Sequence, residues 1–136
     1  MRLFDTTFLI DLVNGDKGAV EKAVQVDEEA AFNAISVATA HEYLRGIFYL
    51  YKGDSKLLRL KLKKAEAELA RFEALPYTYE IAKRAAEIDA GLAKGGVTLS
   101  LVDVIIAATA LHYKLAVVTR DVDHFKRVPG LEIETY

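Results

Sequence analysis

Apolar residues recur along this chain in two rhythms. Dense short runs at 2–5, 32–36 and 115–119 have the length and composition of buried strands, and each is closed by a polar or charged residue. Between them the spacing changes to that of helices. Residues 7–13 form one helix, stopped by Asn14-Gly15, and Asp16 caps a second over 17–26. A long helix follows at 37–52, with Gly53 as its stop. Asp54 caps the next, 55–74, whose Leu58, Leu62, Ala65, Leu69 and Phe72 make a stripe of period 3.6. Pro76 ends it, and Tyr77-Thr78 is the position for a very short strand. Ile81, Ala85, Ile88 and Leu92 mark an amphipathic helix closed by Gly95-Gly96. Ser100 caps a helix over 101–113 that is apolar nearly all round, so both its sides should be buried. A short helix at 122–127 and an edge strand at 131–135 complete the series. Strands alternating with helices predict an α/β fold with a central parallel sheet and helices on both faces.

Composition narrows this picture. The 136 residues suit one domain, 1–136, with a full core, and no linker or repeat interrupts them. No apolar run reaches membrane-spanning length, and Asp5 interrupts any signal-peptide core. Cysteine is absent, which removes disulfides and thiolate chemistry and fits a cytoplasmic protein. The net charge of −2 excludes a protein that grips nucleic acid by bulk basicity.

Four acids stand out by position. Asp5 closes the first strand, Glu42 follows the second by about a turn and a half of helix, Asp103 is the lone charge in the run 99–111, and Asp121 ends the strand at 115–119. Acids at the C-terminal ends of parallel strands converge on one crevice. Each also has an ordinary reading. Asp5 and Asp121 can cap turns or helices, Glu42 can be solvated, and Ser100 to Asp103 reads as a capping box. Jointly they pose a charge problem. The helix carrying Glu42 has Ala38, Tyr43, Gly46 and Ile47 around it, which predicts burial of much of its circumference, and Asp103 opens a helix with almost no polar face. Carboxylates buried together need a cation to stay ionised, and Mg²⁺ or Mn²⁺ suits oxygen donors. Thr7, Ser36 and Thr119, with Thr6 and Thr39, flank the acids and can orient them, or serve simply as caps.

The segments around these acids resemble the PIN domain family. Leu3-Phe4-Asp5-Thr6-Thr7-Phe8-Leu9-Ile10-Asp11 resembles its opening, and Ile35 to Gly46 its second acidic motif. Asp103 to Ala110 resembles the third, and Thr119-Arg120-Asp121-Val122-Asp123-His124-Phe125, followed by Val128 to Leu131, the fourth. The motifs span the chain in order, and their details are most similar to VapC-type toxins. The resemblance implies a three-layer α/β/α fold with strand order 3-2-1-4-5. It implies a Mg²⁺- or Mn²⁺-dependent endoribonuclease, a homodimer, and a small VapB-type antitoxin partner. It carries Asp5, Glu42, Asp103 and Asp121 over as the acids, with Asp123 as an alternative or water-mediated ligand in the last motif.

In such a site a metal-activated water attacks the scissile phosphate, with Glu42 or Asp121 taking its proton. Arg45 and Arg120, beside proposed ligands, are candidates for phosphate contact, ahead of Lys56, Arg59 and Lys63, which read first as a solvated helix face. His41, His112 and His124 have no metal-ligand spacing, and His124 is placed near the site mouth. The apolar surface of helix 37–52, with Tyr43, Leu44, Ile47, Phe48, Leu50 and Tyr51, suits a dimer or antitoxin contact. A phosphatase with a nucleophilic Asp is disfavoured, because Asp5-Thr6-Thr7 lacks the second acid of Asp-x-Asp. The competing class is a non-catalytic metal- or RNA-binding module acting through protein partners.

Overall fold

The computed structural model describes residues 1–136. Five parallel strands form one sheet in the order β3-β2-β1-β4-β5, as the resemblance implied. They are β1 (Arg2–Phe4), β2 (Asn33–Ser36), β3 (Glu73–Leu75), β4 (Ala116–Val118) and β5 (Ile133–Glu134). The helices are α1 (Thr6–Val13), α2 (Lys17–Glu29), α3 (Val37–Leu50), α4 (Ser55–Leu69), α5 (Tyr79–Lys94), α6 (Leu101–Tyr113) and α7 (Val122–Phe125).

Strand pleating divides the core in two. Leu3, Ala34 and Val117 point to one face, where they pack with α5, α6 and Phe125. Their neighbours Phe4, Ile35 and Val118 point to the other, against Phe8, Leu9, Ala19, Val26, Tyr43 and Ala65 from α1 to α4. Side chains alternate along a strand, so a sheet with both faces covered must be apolar at successive positions. Phe4 and Phe8, each about 1% exposed, contribute roughly 2–3 kcal/mol apiece by leaving water. Helix α6 is buried continuously from Val104 to Ala110, as its all-round apolarity predicted. Its one hydroxyl there, Thr109, donates to the Ile105 carbonyl at 2.7 Å and so needs no outside partner.

The segment 70–78 departs from expectation. Helix α4 stops at Leu69, and the strand lies at Glu73–Leu75 rather than at Tyr77-Thr78. Phe72 continues the apolar stripe in the second core without continuing the helix. Leu75 precedes Pro76, a position sterically driven to extended backbone. Edge strand β3 exposes Glu73 and Ala74 and buries only Leu75, so it carries little periodicity. Thr78 instead caps α5, accepting from the Ile81 N–H at 3.3 Å.

Candidate functional site

Strand order reverses beside β1: β2 and β3 lie on one side, β4 and β5 on the other. The C-terminal ends of β1 and β4 therefore flank the sheet's switch point, where loops diverge and leave a crevice. Asp5 leaves β1 there. Ser36 ends β2 and directly caps α3, accepting from the Ala38 N–H at 3.0 Å, so α3 starts at this edge and carries Glu42. Ser100 caps α6 by accepting from the Asp103 N–H at 3.1 Å, which sets Asp103 in the first turn. Thr119 and Asp121 follow β4.

Asp5 does two jobs. One oxygen accepts from the Phe8 N–H at 2.9 Å and caps α1; the other accepts from the Thr119 hydroxyl at 2.5 Å. The Thr119 oxygen in turn accepts from the Asp121 N–H at 2.9 Å. One fully buried hydroxyl thus joins two acids that are far apart in sequence. Burial drives the Asp5 carboxyl up to about 6, against the pull of the Thr119 and Phe8 hydrogen bonds, and the negative charges of Asp103 and Asp121 push it further the same way. Asp103 is also raised, first by burial; Ser100 offsets part of this, while Asp121 and Glu42 add to it.

The four acids are therefore electrostatically coupled, and Asp5, Glu42 and Asp103 have no ion-pair partner at all. Asp121 has one, the His124 ring, whose Nδ1 lies 2.6 Å from Oδ2. That contact, made first as a hydrogen bond, raises the His124 pKa. Asp121 makes no capping bond to α7. Asp123 is exposed and paired with Lys126 at 2.9 Å, which lowers its pKa, and it is not among the leading influences on Asp5 or Asp103.

Three expectations need correction. Glu42 is exposed; the buried side of α3 is carried by Thr39 and Tyr43 instead. Arg120 is not free to meet a phosphate. Its guanidinium donates to both oxygens of Asp16 at 2.7 and 3.0 Å, lies 3.5 Å from Asp11, and stacks on the Tyr136 ring at 4.5 Å. The Tyr136 hydroxyl donates to Asp11 at 2.6 Å, so the β4–α7 turn is tied to α1 and α2. Thr6 and Thr39 do not cap helices: their hydroxyls are buried without hydrogen-bond partners. Of the other residues, Thr7 and Arg45 are exposed, and Ser36 is committed to its cap. The His124 partnership was findable, because positions three apart on a helix meet.

This donor set fits a small hard cation. It offers carboxylate oxygens, holds uncompensated negative charge, and has driven Asp5 far from its usual range. No three acidic or histidine groups already close around one point. Mg²⁺ tolerates that, since it keeps several waters and takes one or two carboxylates directly.

The sequence profile of the PIN domain matches residues 2–131. Ribonuclease VapC of Rickettsia bellii (strain RML369-C) is 39% identical over 64 residues, covering 47% of this chain and 48% of that protein. The tRNA(fMet)-specific endonuclease VapC of Salmonella typhimurium is 35% identical over 71 residues, covering 52% of this chain and 54% of that protein. The chain thus spans about half the length of the curated relatives it matches. Among solved structures, DNA-bound VapBC from Salmonella typhimurium superposes with a TM-score of 0.83 at 27% identity, over 98% of this chain and 96% of that one.

Proposed function

The chain belongs to the PIN domain family, and on that premise we propose that it is a Mg²⁺- or Mn²⁺-dependent endoribonuclease, the toxin of a VapBC-type pair. The observation that carries this reading is the acidic cluster at the switch point, in which Asp5, Glu42 and Asp103 have no ion-pair partner and Asp5 is pushed up to about 6. The nuclease and toxin assignments draw on the partial similarity to two VapC proteins.

In this reading Asp5, Asp103 and Asp121 would hold the cation, and Asp123 would stay outside. The ion, when bound, would supply charge neutralisation at the scissile phosphate and acidify water. Thr119 keeps Asp5 and Asp121 in register through its two hydrogen bonds. Glu42, exposed and unpaired beside Asp103, accepts the proton of the attacking water. Attack in line with the 3′-oxygen leaves a 5′-phosphate and a 3′-hydroxyl. Arg45, exposed on α3 and free of ion pairs, is positioned to meet a phosphate. Phe48, Tyr49 and Leu50 at the end of α3 are 51%, 69% and 70% exposed, an apolar patch that suits self-association or a VapB-type antitoxin.

The test is cleavage of single-stranded and structured RNA by the purified chain with Mn²⁺ or Mg²⁺. Asp103→Asn should abolish cleavage while circular dichroism stays that of the wild type. Full activity in Asp103→Asn, or in the wild type with chelator, would overturn the reading. Binding of RNA without any turnover would favour the non-catalytic module.

A further inference from the structure

A second concave region lies away from the acids. It is a cleft of about 880 Å³ between α5, the end of α6 and the segment after α7. Lys83 and Arg84 line it from α5, Arg127 from the α7 side, and His112 from α6, with Glu80 and Glu87 interleaved. On α5 these charges sit three and four residues apart, the spacing at which helix ion pairs form. None has formed: Lys83, Arg84 and Arg127 take part in no ion pair, and neither do Glu80 and Glu87. Arg127 is held in place, its Nε donating to the Asp123 carbonyl at 3.2 Å. Asp123 belongs to α7, the same short helix whose His124 bonds Asp121. Arg127 on the cleft and Asp121 at the acidic site thus each make a contact to α7.

We propose that this cleft is a second contact region for the RNA strand, in which Lys83, Arg84 and Arg127 bind backbone phosphates of nucleotides flanking the scissile bond. The proposal rests on the endoribonuclease reading and adds a subsite to it. An acidic centre in a chain of net charge −2 repels a polyanion at range, so cations must meet the strand elsewhere. The arginine next to the acids in sequence, Arg120, is already consumed by Asp16 and Tyr136. A 3.2 Å tether to α7 makes Arg127 a preorganised donor, and Arg offers a fork suited to phosphate. Glu80 and Glu87 set the sign of the test. If the cleft holds phosphates they oppose binding, and neutralising them tightens it.

The experiment measures binding of a fluorescein-labelled single-stranded RNA of about 20 nucleotides to the Asp103→Asn chain, which cannot cut it, over a salt series. Combining Lys83→Gln, Arg84→Gln and Arg127→Gln should weaken binding roughly tenfold at low salt and flatten the salt slope by about 2 to 3. Glu87→Gln should tighten binding. In the background with Asp103 intact, the triple variant should lose cleavage of the long RNA and keep cleavage of a tetranucleotide too short to reach the cleft. Mn²⁺ affinity should not change. Unchanged binding and slope in the triple variant, or wild-type-like RNA affinity in Glu87→Gln, overturns the cleft; so does a chain that binds no RNA. Loss of Mn²⁺-dependent cleavage in the wild type itself would instead strike the nuclease reading, leaving the binding result to decide the cleft.

Discussion

Asp5 is where the physics of the site is most concentrated. Its carboxyl sits about two units above the ordinary 3.8 because it is 3% exposed and faces two like charges. A carboxyl whose folded pKa is raised binds its proton more tightly when folded than when unfolded. The folded state therefore gains stability as pH falls from about 6 towards 4, and carries the full cost above 6. Two units correspond to about 3 kcal/mol. Asn keeps the helix cap and removes the charge. Urea unfolding with chelator should accordingly find Asp5→Asn more stable than the wild type at pH 7.5 by up to about 3 kcal/mol, and equal to it near pH 4. A less stable variant at pH 7.5 would count against the burial of an ionised group. Thr119 makes the complementary case. Thr119→Val keeps the shape but leaves Asp5 Oδ2 without a donor and the Asp121 N–H without an acceptor. It should cost about 1–3 kcal/mol of stability and roughly 10–100-fold in activity, read by unfolding and by RNA cleavage with Mn²⁺.

At the scale of elements, α6 is the frame. It packs between α5 and the sheet with no polar face, and Asp103 is set by its first turn. Ile106 is fully buried at its centre, and Ile106→Ala should destabilise by about 2–5 kcal/mol in denaturant melts. Hydrogen exchange should place the amides from Val104 to Ala110 among the slowest, opening only with the whole molecule, with β3 at the exposed edge much faster. The β4–α7 turn is a different kind of element, short and irregular, and it is held from outside by the Arg120 clamp on Asp16. That clamp pulls Asp16 down to about 2, with the Arg120 hydrogen bond as the leading cause. Arg120→Gln should free the turn that carries Thr119 and Asp121, lowering kcat and Mn²⁺ affinity while KM for RNA stays nearly constant. A raised KM with unchanged kcat would return Arg120 to phosphate binding.

For the whole molecule, the proposed metal site makes stability depend on the divalent ion. A divalent ion that binds only the folded chain stabilises it in proportion to the logarithm of its concentration, by about 2.7 kcal/mol at a hundred times Kd. Mn²⁺ should raise the thermal midpoint of the wild type at pH 7.5 and leave Asp103→Asn unmoved. The effect should fade below about pH 6, as protons compete for Asp5. A midpoint that shifts equally in the variant would place the ion elsewhere. No helix is long and apolar enough to cross a membrane.

Much of this was legible in the chain because the relevant information is local. A period of two or 3.6 is read within a dozen residues, so hydrophobic pattern with cap and stop residues placed the elements other than β3 in order, including both ends of α6. The acids stood out for the same reason: Asp5, Asp103 and Asp121 interrupt or close apolar runs, and Glu42 follows one by about a turn and a half of helix. What packing decided is which way side chains point and what lies across from them. Thr119, Arg120 and Asp121 are neighbours in the irregular turn after β4, and only the packed fold sets Thr119 against Asp5 and Arg120 against Asp16 and Tyr136. Glu42 lies on an apolar helix whose burial is one-sided, and only the packed neighbours say which side. Strand β3 is made by pairing with β2 rather than by its own pattern. The charge state of Asp5 depends on desolvation by groups distant in sequence, a quantity that exists only once the sheet has closed over it.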